Sequence, residues 1–298
     1  MSHRRLPQLA LRREAKIATL LGEKVGSRYE ASGVLAADDG FYVIFDNIPH
    51  IAWINPELST GADENRLIQV ASGQTGSEDI AYDRNARRFF VLIEAVRCGP
   101  GEYRAKVFEY DVDFGFISAE LLDFPLDRPN KGLEGLTCVH RDGSSYLLGL
   151  CEGNRCRGGA DGRRPGGGRI QVFTRGAPRW ERVDTIRLPS SLWFEDYSSL
   201  AVVRDRIAVV SQESSALWVG RLAAGGWDVL DDGEVYLFPR DEDGKLRYCT
   251  VEGVSWLPTD EIVVVSDKAK PGEHAKRCGA SDQSIHVFAL PSTDVPRS

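Results

Sequence analysis

Two series of oxygen-bearing side chains recur along this chain at matching points of a repeated pattern. The first series is Ser32, Glu78, Glu134, Ser198 and Glu252. The second series is Asp46, Glu94, Glu152, Gln212 and Asp267. Seven of these ten residues are carboxylates, which repel one another in a shared site unless a cation binds or their pKa values rise. A hard cation with about six to eight oxygen ligands, such as Ca²⁺, offsets that repulsion.

These positions suggest separate roles. The predicted metal ligands are Glu78, Glu134, Glu252 and Asp46. The predicted acid or base groups are Glu94, Glu152 and Asp267, because a metal lowers the pKa of a bound water and a free carboxylate can accept its proton. Calcium is the expected cofactor, with another divalent metal as the alternative. A structural role also stays open at each position, since polar side chains at strand ends commonly hydrogen-bond to neighbouring backbone.

Basic residues cluster in the segments that follow the second series. The three long loops are 95–105, 153–168 and 268–283. The predicted substrate-binding residues are Lys131, Arg155, Arg157 and Lys268. Guanidinium groups bind phosphate and carboxylate in a two-pronged manner, so these loops favour an anionic small molecule. Charges that only keep flexible loops soluble are the alternative.

The elements that position these residues form a unit that occurs five times. Each unit has a first strand that starts at a residue of the first series and a second strand that ends at one of the second. The starts lie 46 to 64 residues apart, a length typical of a four-stranded propeller blade. The pattern predicts an all-β, five-bladed β-propeller over residues 1–298 as a single domain, with six blades as the alternative.

The fifth unit lacks a fourth strand because the chain nearly ends after its third. Residues 15–25 contain an apolar segment that we expect to complete this last blade and to remove an exposed sheet edge. A helix over residues 12–21 is the competing interpretation. Because first and second strands are antiparallel, both polar series should meet at one mouth of the central channel.

Composition narrows the class of function. The net charge of −7 argues against nucleic acid as a partner. The sequence has no apolar run long enough to span a membrane and no recognisable signal peptide, so we expect a cytoplasmic protein. The six cysteines are therefore expected to be free thiols, with a disulfide pair or zinc ligation as weaker alternatives.

Three acidic motifs resemble a known family. They are residues 130–136, 150–154 and 251–254. These segments are similar to the phytase-like propellers, also described by an "esterase-like activity of phytase", and the blade pattern resembles the related SdiA-regulated propellers. The resemblance implies an acidic, often calcium-binding channel and phosphoesterase or esterase chemistry, with Glu134, Glu152 and Glu252 in the acidic motifs. Ser32 and Ser198 depart from a fully acidic ring.

Two functions follow from these features. The first is a metal-dependent hydrolase that acts on phosphate- or carboxylate-bearing small-molecule esters at the channel mouth. The second is a non-catalytic propeller that binds a ligand or a protein partner at the same mouth, since a fold alone does not decide function.

Overall fold

The computed structural model describes residues 6–23, 28–61, 65–70, 73, 75–128, 131–269 and 275–291. Within these ranges, strands dominate and the helices are single turns. The predicted all-β class is confirmed. No helix in these ranges has the length and apolar character needed to cross a membrane.

After β1, the strands follow one another along the chain in four groups of four and a last group of three. The chain opens with β1 (Ala10–Lys16) and α1 (Ile17–Leu20). The first two groups are β2–β5 (Ala31–Ala36, Phe41–Phe45, His50–Ile54, Arg66–Gln69) and β6–β9 (Ser77–Asp83, Arg88–Gly99, Glu102–Tyr110, Phe116–Asp123). The third group is β10–β13 (Leu133–Arg141, Ser144–Cys151, Arg169–Arg175, Trp180–Arg187), with helix α2 (Gly159–Gly162) between β11 and β12.

The remaining strands complete the pattern. The fourth group is β14–β17 (Ser199–Val203, Arg206–Ser211, Ala216–Arg221, Glu234–Leu237). The last group is β18–β20 (Val251–Leu257, Glu261–Ser266, Ser284–Ala289), with helix α3 (Ala275–Cys278) between β19 and β20. Each group is an antiparallel meander, so the first and second strands of every group run in opposite directions.

Strand β1 pairs with β20 and supplies the fourth strand of the last sheet. The predicted boundary of 15–25 was too late. Only Ala15 and Lys16 of that stretch belong to β1, and residues 24–25 lie outside the described part of the chain. Ile17 and Leu20 are three residues apart and both buried, which is the spacing of one helical face rather than of a strand.

Apolar clusters fill the spaces between neighbouring groups. One cluster lies between each pair of successive groups, and another lies between the last group and the first. The first strands contact one another in the closed order β2, β6, β10, β14, β18 and back to β2. The second and third groups are also joined at their outer edges, where β9 and β13 pair in parallel. The first strands therefore surround a common axis.

Four of the six cysteines form disulfides, which corrects the expectation of free thiols. The pairs are Cys151–Cys156 and Cys249–Cys278, and the free cysteines are Cys98 and Cys138. The sequence inference failed because it rested on the lack of an export signal and not on geometry. Disulfides are typical of oxidising compartments, so the cytoplasmic location stays a prediction that these bonds do not support.

Candidate functional site

Register shifts in the pairing of the first strands orient most side chains of the first series. Where β10 pairs with β11, Leu133 faces Cys151 and Gly135 faces Leu150, so Glu134 is an extra residue in the strand. Similar register shifts occur around Ser32, around Glu252 and at Glu78. A bulge turns a side chain out of the regular alternation of the strand. This local geometry directs these side chains into the space between the first strands.

Glycines allow the first strands to approach closely just after three of these bulges. A Cβ atom on Gly253 would lie 2.7 Å from the backbone nitrogen of Val34, and one on Gly135 would lie 3.0 Å from that of Leu200. A Cβ on Gly33 would lie 2.8 Å from the Cα of Asp79. Because backbone atoms cannot move aside cheaply, larger residues would push neighbouring first strands apart. The channel is thus narrow beside the acidic residues.

Asp79 closes the channel at this level. Its Oδ2 accepts hydrogen bonds from the backbone N–H of Leu136 at 2.9 Å and from the hydroxyl of Ser199 at 2.9 Å. The Ser199 oxygen in turn accepts from the N–H of Val254 at 3.2 Å. Burial raises the pKa of Asp79 well above its usual range. This side chain connects four first strands, a role that its sequence position did not reveal.

A cavity of about 180 Å³ lies on one side of this closure. Its lining residues are Ser32, Glu78, Glu134, Glu152, Asp196, Tyr197, Ser198, Gln212 and Glu252. The two polar series therefore meet in part at one mouth, as their spacing predicts. Gln212 Nε2 donates to Glu252 Oε1 at 3.0 Å, so these members of the two series are in direct contact.

The serines of the first series have structural partners. The Ser32 hydroxyl donates to the carbonyl of Ser77, and the Ser198 hydroxyl donates to the carbonyl of Val251 at 3.0 Å. Each bond joins one first strand to the first strand of the next group. Both serines therefore have the structural role of a side chain that hydrogen-bonds to neighbouring backbone. A carboxylate is not required at either position.

Three carboxylates form a compact cluster in the mouth. Glu94, Glu134 and Glu152 each offer an oxygen within 4.8 Å of the others. This cluster could hold a metal ion, and two of its members belong to the series predicted to be acid or base groups. Glu134 also interacts with Glu78 and Glu94, and these carboxyl groups affect one another's pKa. Two carboxyl groups in such contact share a proton unless a cation is present.

The cluster has both satisfied and unsatisfied oxygens. Glu94 Oε1 accepts from the N–H of Gly132 at 3.0 Å. Lys131 Nζ forms an ion pair with Glu152 Oε1. Glu152 Oε2 is buried without a hydrogen-bond partner among the described residues. An unpaired buried carboxylate oxygen is costly, and a bound cation is one way to satisfy it.

Burial and mutual repulsion raise the pKa values in the mouth. Burial, followed by the charges of Glu94 and Asp46, raises the pKa of Glu78 to about 8. Burial and the charge of Glu78 raise the pKa of Glu134 well above its usual range, and burial also raises that of Glu94. Without a cation, the mouth therefore retains protons at neutral pH.

Asp196 is a site residue that the repeat pattern missed. It precedes β14, outside both polar series, and yet its carboxylate lines the cavity. Oδ1 accepts from the Ser211 hydroxyl and from the N–H of Glu213. Burial raises the pKa of Asp196 to about 6. The available sequence signal was an acidic pair, Glu195 and Asp196, directly before a first strand.

A second cavity of about 250 Å³ adjoins the first. Glu152, Asp196 and Gln212 line both cavities, and the basic side chains of the second are Lys131, Arg157 and Arg163. The loop that carries the two arginines is held by Asn154, whose Nδ2 donates to the carbonyls of Gly162 and Phe194. The Cys151–Cys156 disulfide closes the same loop. The second cavity is also lined by Glu195 and Glu213, so acidic and basic groups are neighbours there.

Four predicted residues lie elsewhere or at the edge. The Arg155 guanidinium donates to the carbonyl of Arg164 at 3.4 Å and does not line either cavity. Lys268 is exposed and Asp267 is half-buried, and neither lines a cavity of the mouth. Asp46 is exposed at the end of β3 and acts on Glu78 through its charge. Residues 270–274 of the third basic loop lie outside the described part.

Comparison with solved structures shows a likeness to β-propeller proteins. Glutaminyl cyclase of Myxococcus xanthus superposes with a TM-score of 0.50 and 11% identity, over 96% of this chain and 98% of that one. A PQQ-bound aldose sugar dehydrogenase of Streptomyces coelicolor gives 0.48 and 10%, over 93% and 98%. A glucose dehydrogenase-like putative oxidoreductase of Thermus thermophilus gives 0.49 and 14%, over 95% and 100%.

These similarities concern the fold alone. No protein-family model matches the chain, and no curated protein sequence matches it. The resemblance to phytase-like and SdiA-regulated propellers therefore stays a prediction. The propeller fold is shared by several kinds of enzyme, so the chemistry of this chain must be argued from its own acidic mouth.

Proposed function

We propose that this chain is a five-bladed β-propeller that binds a divalent cation at Glu94, Glu134 and Glu152. Calcium is the ion that we expect to be preferred. The observation that supports this is that three carboxylate oxygens lie within 4.8 Å of one another, that two of the three residues, Glu134 and Glu152, line the cavity, and that one oxygen of Glu152 is buried without a partner among the described residues. Glu78 is next to this cluster and supplies a further oxygen. Hard oxygen donors in this number suit Ca²⁺ better than a softer metal.

The reaction we propose is hydrolysis of a phosphate- or carboxylate-bearing ester. The anionic part of the substrate would occupy the adjoining cavity against Lys131, Arg157 and Arg163. A bound divalent cation supplies Lewis acidity and lowers the pKa of a coordinated water. Asp196 would accept a proton, because a pKa of about 6 leaves this carboxylate ionised and still basic at neutral pH.

The proposed site differs from the sequence prediction in several assignments. Glu94 and Glu152 move from the acid or base groups to the metal ligands, and Asp46 leaves the ligand set. Asp196 takes the place of Asp267 as the proposed base, because Asp196 lines both cavities and Asp267 lines neither. Arg163 takes the place of Arg155 and Lys268, which face other surroundings. Glu252 stays in the mouth and is proposed to complete the ligand set with Glu78.

The test combines metal binding with turnover. Calcium binding is measured by titration calorimetry after chelator treatment, and the reloaded protein is assayed with p-nitrophenyl phosphate and p-nitrophenyl acetate. Glu134→Gln is the test variant, and Glu242→Gln, in an exposed loop, is the matched control. We expect Glu134→Gln to weaken calcium binding at least tenfold, about 1.4 kcal/mol, and the control to bind as the unmodified chain does.

The possible outcomes test the metal site and the hydrolase activity separately. Calcium binding with turnover that disappears on chelation supports a hydrolase. Calcium binding without turnover of either ester supports a non-catalytic binding propeller and removes the hydrolase assignment. Failure to bind calcium, magnesium or manganese while the protein remains folded removes the metal site itself.

A further inference from the structure

The channel has a second mouth, at the opposite ends of the first strands. Each first strand runs from the acidic mouth toward this end, so the residues that end these strands lie far from the carboxylates. They line a cleft of about 530 Å³. This volume is in the range of sites for small organic molecules, about 300–1,000 Å³. No residue of the acidic mouth lines it.

The cleft has an apolar floor. Its apolar lining includes Leu35, Ala36, Val139, Ala201, Val202 and Trp256. The Trp256 ring is held in place, because its Nε1 donates to the carbonyl of Ala201 at 3.2 Å and the Arg206 guanidinium lies 4.3 Å from the ring centre. A fixed aromatic wall of this kind favours a ligand with a flat apolar body.

Positive charge surrounds this floor. Arg84, Arg141 and Arg204 line the cleft, together with His140 and a single carboxylate, Asp83. Asp83 Oδ1 accepts from the backbone N–H groups of the turn that follows it, at 2.9 and 3.0 Å. Its charge is thus engaged within its own turn. Because the whole chain carries −7, a cationic cleft is a local departure from the overall charge.

Two of the arginines form no ion pair within the described part of the chain, although the charge of Asp142 acts on Arg141. Arg141 is half-buried, donates to the carbonyl of Gly226 and lies 4.2 Å from the centre of the Trp227 ring. Arg204 is exposed on the rim. In the described part of the chain, neither forms an ion pair with a carboxylate. Burial lowers the pKa of Arg141, which reflects the cost of desolvating its charge.

We propose that the second mouth is a binding site for an aromatic carboxylate, with its ring against Trp256 and its anionic group between Arg141 and Arg204. A carboxylate would pair with guanidinium groups that form no ion pair within the described chain, and the ring would cover the apolar floor of the cleft. The site needs no metal, since its charged lining is mainly cationic. It is independent of the hydrolase proposed for the acidic mouth.

The free thiol in the cleft does not make it a reactive site. Cys138 lines the cleft, and burial raises the pKa of its thiol to about 12. The thiol is therefore protonated at neutral pH and a poor nucleophile. This mouth binds its ligand reversibly.

The test uses 2-naphthoate as the probe and 2-naphthylmethanol as its uncharged counterpart. Binding to the full chain is followed by calorimetry and by indole N–H shifts of Trp256 in a nitrogen-labelled sample. The test variant is Arg204→Gln. The matched control is Arg187→Gln, an exposed arginine that does not line the cleft, and Glu134→Gln reports on the acidic mouth.

We expect naphthoate to bind, to shift the Trp256 indole signal and to weaken with added salt. Arg204→Gln should weaken binding about tenfold, the cost of one charge-assisted contact, whereas Arg187→Gln and Glu134→Gln should leave it unchanged. Absence of naphthoate binding to the folded chain overturns the proposal. So does equal binding of naphthylmethanol, or binding that Arg204→Gln does not alter.

Discussion

At the scale of single residues, the carboxyl groups of the acidic mouth bind protons that a bound cation would displace. Glu78 has a pKa of about 8 and Glu134 has one well above its usual range. In the unfolded chain both ionise near pH 4.5. The unfolded state therefore binds fewer protons between these values, and the stability of the metal-free protein falls as pH rises from about 4.5 to 8.

Calcium should reverse this loss. Because the ligands must be ionised, we expect the rise in melting temperature caused by calcium to be larger at pH 8 than at pH 5.5. The measurement is a pair of thermal melts at each pH, with chelator and with calcium. In Glu78→Gln, which cannot ionise, the metal-free protein should lose less stability over the same interval. An equal calcium effect at both pH values would contradict this account.

The sequence predicted some of these residues and not others. The carboxylates at 78, 134, 152 and 252 were found because each marks the same point in a repeated unit, a pattern that one chain can display. Asp196 could not be found in this way, because its place depends on a loop that folds back beside Ser211. Asp79 was also missed, since its partners come from other strands far along the chain.

At the scale of elements, the close approach of first strands is the feature that builds the narrow channel. Gly135 lies where β10 passes the backbone of Leu200 in β14. Strand types and order were predictable from apolar periodicity. The bulges were not, because a bulge is defined by the register between two strands and leaves no fixed mark in either sequence.

Gly135→Ala tests this packing. Its Cβ would meet Leu200 Cδ2 at 2.7 Å and the Leu200 backbone nitrogen at 3.0 Å, so we expect the free energy of unfolding to fall by about 1–3 kcal/mol. Urea denaturation measures the change. The control is Gly225→Ala, where an added Cβ has no neighbour within 4 Å. Similar stability of the two variants would show that β10 and β14 tolerate separation.

At the scale of the whole molecule, a row of polar side chains joins the strands that close the ring, with Glu14 at its exposed end. Glu14 Oε2 in β1 lies 3.2 Å from His286 Nδ1 in β20, and His286 Nε2 lies 3.0 Å from the Ser266 hydroxyl in β19. Ser266 and His286 are buried, so this row links strands and does not serve as a catalytic triad. Burial lowers the pKa of His286.

This row should make the fold sensitive to acid. The unfolded chain takes up a proton on the histidine near pH 6.5, whereas the folded chain does so only at lower pH, so the contribution of His286 to stability falls as pH drops below 6.5, opposite in sign to that of Glu78 and Glu134. One such proton corresponds to at most about 1.4 kcal/mol per pH unit. We expect His286→Gln to remove this contribution, so that its stability relative to the unmodified chain rises as pH falls from 7 to 5 in denaturation curves. The exposed His140→Gln should retain it, and an unchanged slope in His286→Gln would assign the acid response elsewhere.

The pairing of β1 with β20 also decides how the molecule responds to pulling. Ala10 and Ala289 face each other at the same end of this strand pair, and Lys16 and Ser284 face each other at the other end. Tension applied to Ala10 and Ala289 would break the hydrogen bonds between β1 and β20 one after another. It would not load all of them at the same time, as a shearing force would. The ring should therefore yield to a small mechanical force at this seam.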